Sequence, residues 1–292
     1  MPHIIITQGD PAGIGPEVVA KALASGNFSD DVTFEVLPYS GSFTPGQPNA
    51  ASARASWEAL EIAARRLMDG TADAVVTGPV SKEQLQSIGF PFPGQTEFFT
   101  DRLGVTETRM CLSGDHLTVG LCTIHEPLAK VPELLSEEGI VRTALLMKEF
   151  MESRGIKTPR IAICGLNPHA GENGAFGDEE MRIISPAIAR LQANHAEVFS
   201  GPHVPDAVFR EAAMGKFDAV VCMYHDQGLI PLKLLDFDNA VNITLGLPKP
   251  RVSPDHGTAF SLAGKNQANA SSMIRAMQVA AEMTQHPPSL RL

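Results

Sequence analysis

Four times along this chain a short, unbroken apolar run gives way to a loop of Gly, Pro and polar residues that opens a helical pattern. Ile4-Ile5-Ile6 leads into Thr7-Gln8-Gly9-Asp10-Pro11-Ala12-Gly13-Ile14-Gly15, and Ala74-Val75-Val76 into Thr77-Gly78-Pro79-Val80-Ser81-Lys82. Arg160 to Cys164 leads into Gly165-Leu166-Asn167-Pro168-His169-Ala170-Gly171-Glu172, and Ala219 to Met223 into Tyr224-His225-Asp226-Gln227-Gly228. Runs this short, without polar alternation, read as strands buried on both faces. Strands alternating with helices predict parallel pairing and an α/β fold. Leu117 to Ile124 adds a further strand. Helical stripes appear at Val18, Val19, Ala22 and Leu23, and at Trp57, Leu60, Ala64 and Leu67, the latter stopping at Gly70. Others are Ile140 to Met151, ending before Gly155, Asp178 to about Asn194, and a short helix opened by Pro205. Trp57 belongs to a core face. Phe34 to Asn49, rich in Pro, Gly and Ser, has no period and reads as a loop.

A chain of 292 residues holds one large or two modest domains. Its net charge of -10, with no basic stripe to offset it, speaks against nucleic-acid binding. A phosphorylated ligand would therefore need a local cationic pocket. The four cysteines show no CxxC spacing and fit buried free thiols in a reducing compartment. The beginning lacks a basic segment followed by a long apolar core, and no run approaches transmembrane length. A soluble, cytoplasmic protein without a membrane partner is expected.

Ligands of open α/β sheets collect at the carboxyl ends of the strands, and several reactive side chains fall there. The Gly9 to Gly15 turn can present N–H groups to an anion, or can need glycine for its backbone alone. It is neither GxGxxG nor a Walker A sequence. Lys82, near a strand end, is either a ligand contact or a solvated cation. Thr96 suits a helix N-cap, with Glu97 favourable to the dipole. His125, His169 and His225 each lie just past a predicted strand, so parallel pairing would put three imidazoles on one rim. Such a trio suits zinc, cobalt or a similar divalent metal. His3, His195 and His286 read as surface residues; His116 and His203 stay unassigned.

Tyr224 to Asn269 is the richest stretch. It carries Lys233, Asn242 and Arg251, then Ser253-Pro254-Asp255-His256-Gly257-Thr258-Ala259 and Leu262-Ala263-Gly264-Lys265. Arg suits a forked contact with phosphate or carboxylate and Lys a point contact. Spacing alone equally allows solvated charges and a turn amide.

Five ordered motifs together resemble the 4-hydroxythreonine-4-phosphate dehydrogenase family. They are Gly9 to Glu17, Gly78 to Lys82, Asn167 to Glu172, Tyr224 to Gly228 and Asp255 to Ala259. The resemblance covers nearly the whole chain. It implies a two-domain α/β/α sandwich of the isocitrate/isopropylmalate dehydrogenase-like type, with the active site in the interdomain cleft. It further implies a homodimer with residues 1–95 plus 246–292 as a discontinuous first domain and 96–245 as the second. A divalent metal (Zn, Mg or Co) would sit on His125, His169 and His225. Substrate contacts carry over to Thr96, Lys233, Asn242 and Arg251, with Gln95 beside them. NAD, or NADP, would lie along His256, Gly257, Thr258, Ala263, Gly264 and Asn269. The implied reaction oxidises 4-hydroxythreonine 4-phosphate, a small phosphorylated amino acid. The resulting β-keto acid loses carbon dioxide, on the way to pyridoxal phosphate.

Three features depart from the family pattern. Gln95 stands where relatives usually have a histidine, Ser261 where they often have an acid, and the segment between Phe34 and Asn49 is short. The first keeps open a paralogue acting on a four-carbon sugar-acid phosphate or an aromatic cis-dihydrodiol. A metal-dependent hydrolase or lyase would leave the Gly257 to Asn269 loop without a purpose, and a non-catalytic metal-binding protein would take up metal without turnover. Asp226 and Lys82 are candidate general bases, and Asp226 equally suits a partner to a metal histidine.

Overall fold

Ile4, Ile5 and Ile6 are completely buried in the first strand, around which one half of the protein is laid down. The computed structural model describes residues 1–285; His286 and the end of the expected first domain lie outside the described residues. In chain order the elements are β1 (His3–Thr7), α1 (Gly15–Ala24), β2 (Thr33–Val36), α2 (Ala50–Met68), β3 (Ala74–Thr77), α3 (Lys82–Ser87) and α4 (Gln95–Arg102). Then come β4 (Arg109–Ser113), β5 (Thr118–Leu121), α5 (Val131–Leu134), α6 (Glu137–Ser153), β6 (Ile161–Cys164), α7 (Ser185–His195), β7 (Phe199–His203) and α8 (Pro205–Ala213). The chain continues with β8 (Ala219–Cys222), α9 (His225–Asp236), β9 (Val241–Leu245), β10 (Arg251–Pro254) and α10 (Ser271–Gln285).

These elements form two units, Met1–Thr108 with Val241–Gln285, and Arg109–Ala240. Helix α4 and strand β9, which a division at 95 and 245 assigns to the second domain, lie in the first unit. Packing explains α4: Phe98 and Phe99 are fully buried in a cluster with Leu60, Ala63, Ala64 and Leu85. Hydrogen bonding explains β9, which pairs with β10.

In the first unit the strand order is β2-β1-β3-β10-β9. All pairs are parallel except β9 with β10. Strand alternation turns Ile5 and Val75 toward α2, and sends Ile4, Ile6 and Val76 to the opposite, equally buried face. Helix α10 packs against β3, β9 and β10. In the second unit the order is β4-β5-β8-β6-β7, parallel except for the β4–β5 hairpin. One apolar cluster joins its strands to α8 and α9 through Val208, Ala212, Leu229 and Leu232. Gly228 lets α9 lie close to the sheet, because a Cβ there would stand 3.0 Å from Cys222 Sγ and 3.1 Å from Leu121 Cδ2.

The alternation therefore gives the expected α/β class, with local corrections. Phe34 to Val36 is an edge strand paired in parallel with Ile4 to Ile6, not the beginning of a loop. Pro38 follows it and hides so short a run. Strand β4 went unnoticed because Arg109 and the polar Ser113 bracket only three apolar residues. The helix expected from Asp178 opens with a π-helical turn at Glu180–Ile184 before α7. The four cysteines are free.

Candidate active site

In the first unit, the loop after β1 folds against the loop after β3: Asp10 N–H donates to the Pro79 carbonyl at 2.9 Å. A side chain on Gly9 would run into that carbonyl. Asp10 Oδ1 accepts from Ala12 N–H at 2.9 Å, the Asp10 carbonyl from Gly13 N–H, and the Thr258 carbonyl from Ile14 N–H. These four amides are engaged inside the protein, so this part of the turn works as a backbone junction. Burial pushes the Asp10 carboxyl above the usual carboxylate range.

Arg251 opens β10 beside Val75 of β3 and is only 3% exposed. Its Nε and Nη2 donate to Thr77 Oγ1 at 3.1 and 2.8 Å, its Nη1 to Thr244 Oγ1 at 3.1 Å and its Nη2 to Gln95 Oε1 at 3.2 Å. All four bonds go to neutral oxygens. Burial pulls its pKa down to about 10, with Glu97 acting in the opposite sense, so it stays charged at neutral pH. A buried cation without a bonded carboxylate is a place for a ligand anion. Asn242 lies within β9 opposite Ser253, not in a turn, and its buried Oδ1 has no protein partner. The N-cap of α4 is Gly94; Thr96 is one residue into the helix and its carbonyl accepts from Thr100 Oγ1. The exposed Lys82 reaches the same helix start, since a Cβ on Gly94 would stand 3.9 Å from Lys82 Nζ and 3.1 Å from Glu97 Oε2.

The loop before α10 also belongs to this unit. Glu17 Oε1 accepts from Ala268 N–H at 2.8 Å while Lys21 Nζ donates to the Ala268 carbonyl at 2.9 Å, which ties the loop to α1. The short segment after β2 packs under it: Gly46 N–H donates to the Ala12 carbonyl, and a Cβ on Gly264 would meet Pro45 at 2.8 Å. Gly264, at φ +76°, thus serves the loop's own backbone. Around Gly257, by contrast, a Cβ would meet nothing within 4 Å, and His256 Nε2 is buried without a protein partner. Asn269 Oδ1 accepts from Ser271 N–H and Oγ at 3.0 and 2.8 Å, which ties it to the start of α10. Thr258 and Ala263 line the same loop, Ala263 buried and Ser261 exposed.

In the second unit β5, β8 and β6 run parallel, which puts their carboxyl ends on one rim. His125 and His225 face each other there, ring centroids 5.5 Å apart. Asp226 Oδ1 bonds His225 Nδ1 at 2.7 Å, the orienting contact typical of a ligating imidazole. Asp226 is therefore a partner to the histidine. The ring of His169 lies 5.8 Å from that of Phe176. Among the described residues no three His, Cys, Asp or Glu side chains gather closely enough to hold a metal. The loop carrying His169 is unusual: His169, Ala170, Gly171, Glu172 and Asn173 all have φ between +41° and +78°. Left-handed backbone is costly for residues other than glycine and persists where surrounding contacts enforce it. Glu180, in the π-helical turn, anchors the residues just before this stretch: Oε1 accepts from the Leu166 and Asn167 amides at 2.7 Å, and Oε2 from Asn167 Nδ2 at 2.9 Å. Lys233, half-buried, lies about two turns beyond His225 on α9. His116 closes the β4–β5 turn onto α9 through Asp236, and His203 bonds Ser200 Oγ.

Sequence reasoning missed Glu180, Asp236, Thr123 and Gln227. Each acts through a contact distant in sequence. Only Gln227 carried a signal, as part of the Tyr224 to Gly228 motif.

The family model of the pyridoxal phosphate biosynthetic protein PdxA matches residues 14–280. The 4-hydroxythreonine-4-phosphate dehydrogenase of Geobacter metallireducens is 42% identical over 97% of this chain and 95% of its own. The crystal structure of that enzyme from Klebsiella pneumoniae is similar at TM-score 0.83 and 34% identity, covering 98% of this chain and 100% of its own. A terephthalate 1,2-cis-dihydrodiol dehydrogenase from Burkholderia xenovorans is similar at TM-score 0.73 and 26% identity, covering 96% and 98%.

Proposed function

This chain belongs to the family of the pyridoxal phosphate biosynthetic protein PdxA, and on that premise we propose that it is a 4-hydroxythreonine-4-phosphate dehydrogenase. In this reading it oxidises the secondary alcohol of its substrate with NAD or NADP, and the β-keto acid decarboxylates to 3-amino-2-oxopropyl phosphate. The observation that carries it is Arg251, a buried guanidinium whose protein partners are all neutral. An anionic group on the substrate completes its coordination. Asn242 offers an orphaned acceptor to a hydroxyl or ammonium, and Thr96 and Lys233 are the remaining proposed contacts.

NAD, when bound, supplies the hydride acceptor. The open space at Gly257 and the unpartnered His256 Nε2 fit a ligand at this loop, and Asn269 Nδ2 can donate to a base edge. A divalent cation supplies Lewis-acid polarisation of the alcohol and ketone oxygen. His125 and His225 would supply two of its ligands, with Asp226 holding His225 through Nδ1. His169 is the proposed third ligand. Exposed Ile230 and Leu234 on α9, with Phe237 directly after it, support a homodimer. Free thiols support a cytoplasmic setting, and no helix among the described residues is long and apolar enough to cross a membrane.

The likeness to the cis-dihydrodiol dehydrogenase favours a second reading, oxidation of an aromatic cis-dihydrodiol carboxylate. Product analysis separates the two. With 4-hydroxythreonine 4-phosphate, NAD and metal, carbon dioxide and the amino-ketone phosphate should form together. Turnover of the dihydrodiol alone would favour the second reading.

A further inference from the structure

The backbone of Met223, just past the end of β8, is gripped by side chains at both its N–H and its carbonyl. Its N–H donates to Gln227 Oε1 at 2.7 Å, and its carbonyl accepts from Thr123 Oγ1 at 2.8 Å. The other end of the same Gln227 amide, Nε2, donates to the Gly165 carbonyl at 2.7 Å, across a separation of 62 residues. Gln227 and Thr123 are 7% and 8% exposed, so water is a poor substitute for these bonds.

The positions tied together are not arbitrary. Thr123 precedes His125 by two residues, Met223 precedes His225 by two, and Gly165 opens the loop that carries His169. Three strand ends are therefore joined through the Met223 backbone and the Gln227 side chain. Joining them asks for a side chain that accepts from Met223 and donates to Gly165 at once. A carboxamide offers both; an ionised carboxylate only accepts, and a thioether of the same length does neither.

We propose that Gln227 is a positioning residue that sets the placement of the candidate metal ligands His125 and His225 relative to each other and to the strand end from which the His169 loop departs. The assignment rests on the metal reading given above. Gln227 touches neither substrate nor cofactor; it acts by fixing the strand ends from which the imidazoles project.

The test uses Co2+ as probe with the full-length wild type, Gln227→Met and Thr123→Val, each checked for folding by circular dichroism and Tm. The expected result is a Co2+ Kd weakened on the order of 10–100-fold in Gln227→Met, and less in Thr123→Val. The visible bands of bound Co2+ should shift in both variants, and kcat should fall while the KM for NAD holds. A merely structural role would lower Tm and leave the spectrum of the folded, loaded protein unchanged. Folded variants with wild-type Co2+ affinity and spectrum overturn the role of Gln227. So does an unfolded Gln227→Met beside a Thr123→Val that behaves as wild type. A wild type that takes up no Co2+ instead overturns the metal reading, and this assignment with it.

Discussion

Gln95 Oε1 accepts a hydrogen bond from Arg251 Nη2 at 3.2 Å, while Gln95 Nε2 donates to the Gly78 carbonyl at 3.1 Å. Both ends of the amide are thus engaged by the protein. At the position where the family resemblance implies a histidine, this chain has a neutral side chain that steadies its buried cation. Replacing Gln95 with His puts a titratable ring beside Arg251, and protonation there would set two cations against each other. With 4-hydroxythreonine 4-phosphate, kcat/KM of Gln95→His is expected to fall below wild type, most steeply under about pH 7. A rise in kcat/KM on the swap would indicate that this chain is adapted to another substrate.

Arg251→Ala removes the buried guanidinium and Lys233→Ala an ammonium on α9. A charge-assisted contact contributes about 1.5–3 kcal/mol, so substrate affinity should drop at least about tenfold. Isothermal titration with substrate and, separately, with NAD checks this. Equal weakening of both ligands would assign these residues to folding instead.

Asp236 is buried and accepts from the His116 and Leu117 amides as well as from His116 Nδ1 at 2.6 Å. Its hydrogen bond and charge raise the His116 pKa above the ordinary imidazole value. The sign follows from linkage: the stabilisation is fully present below that ordinary value and is lost as pH rises through the raised one. Asp236→Ala also strands two backbone amides at the β4–β5 turn, a loss of about 1–3 kcal/mol each where they stay buried. NMR titration of His116 should show the raised pKa in wild type and its return to normal in Asp236→Ala. An unshifted wild-type titration would contradict the pairing.

Much of this architecture was legible in the sequence because its strands are short, wholly apolar and followed by distinctive loops. Ile4 to Ile6, Ala74 to Val76 and Ala219 to Val221 needed no tertiary information. Elements lacking that contrast were missed. Phe34 to Val36 depends on β1 for its pairing, and Arg109 to Ser113 on its hairpin partner. The rim carrying His125 and His225 follows from parallel pairing. The place of His169 does not, since its loop runs through left-handed backbone that the sequence pattern does not signal, and the start of that loop is held by Glu180 from another element. The two engagements of Gln95 were equally invisible, because Gly78 and Arg251 are neighbours only in the fold.

Metal retention tests the histidines directly. His125→Ala and His225→Ala should each abolish Zn2+ or Co2+ retention after gel filtration while leaving the circular dichroism spectrum intact. His169→Ala should lower retention as well if its loop or a second copy completes the site. Full metal content in all three variants, by elemental analysis, would remove the site.

The most direct measurement is NADH formation by the purified protein with 4-hydroxythreonine 4-phosphate, NAD and a divalent metal, run beside 4-hydroxythreonine without its phosphate. The account predicts NADH from the phosphorylated compound, loss of that signal with a chelator, and a kcat/KM lower by at least about tenfold without the phosphate. No NADH from the phosphorylated compound, beside turnover of a cis-dihydrodiol or a four-carbon sugar-acid phosphate, would contradict it.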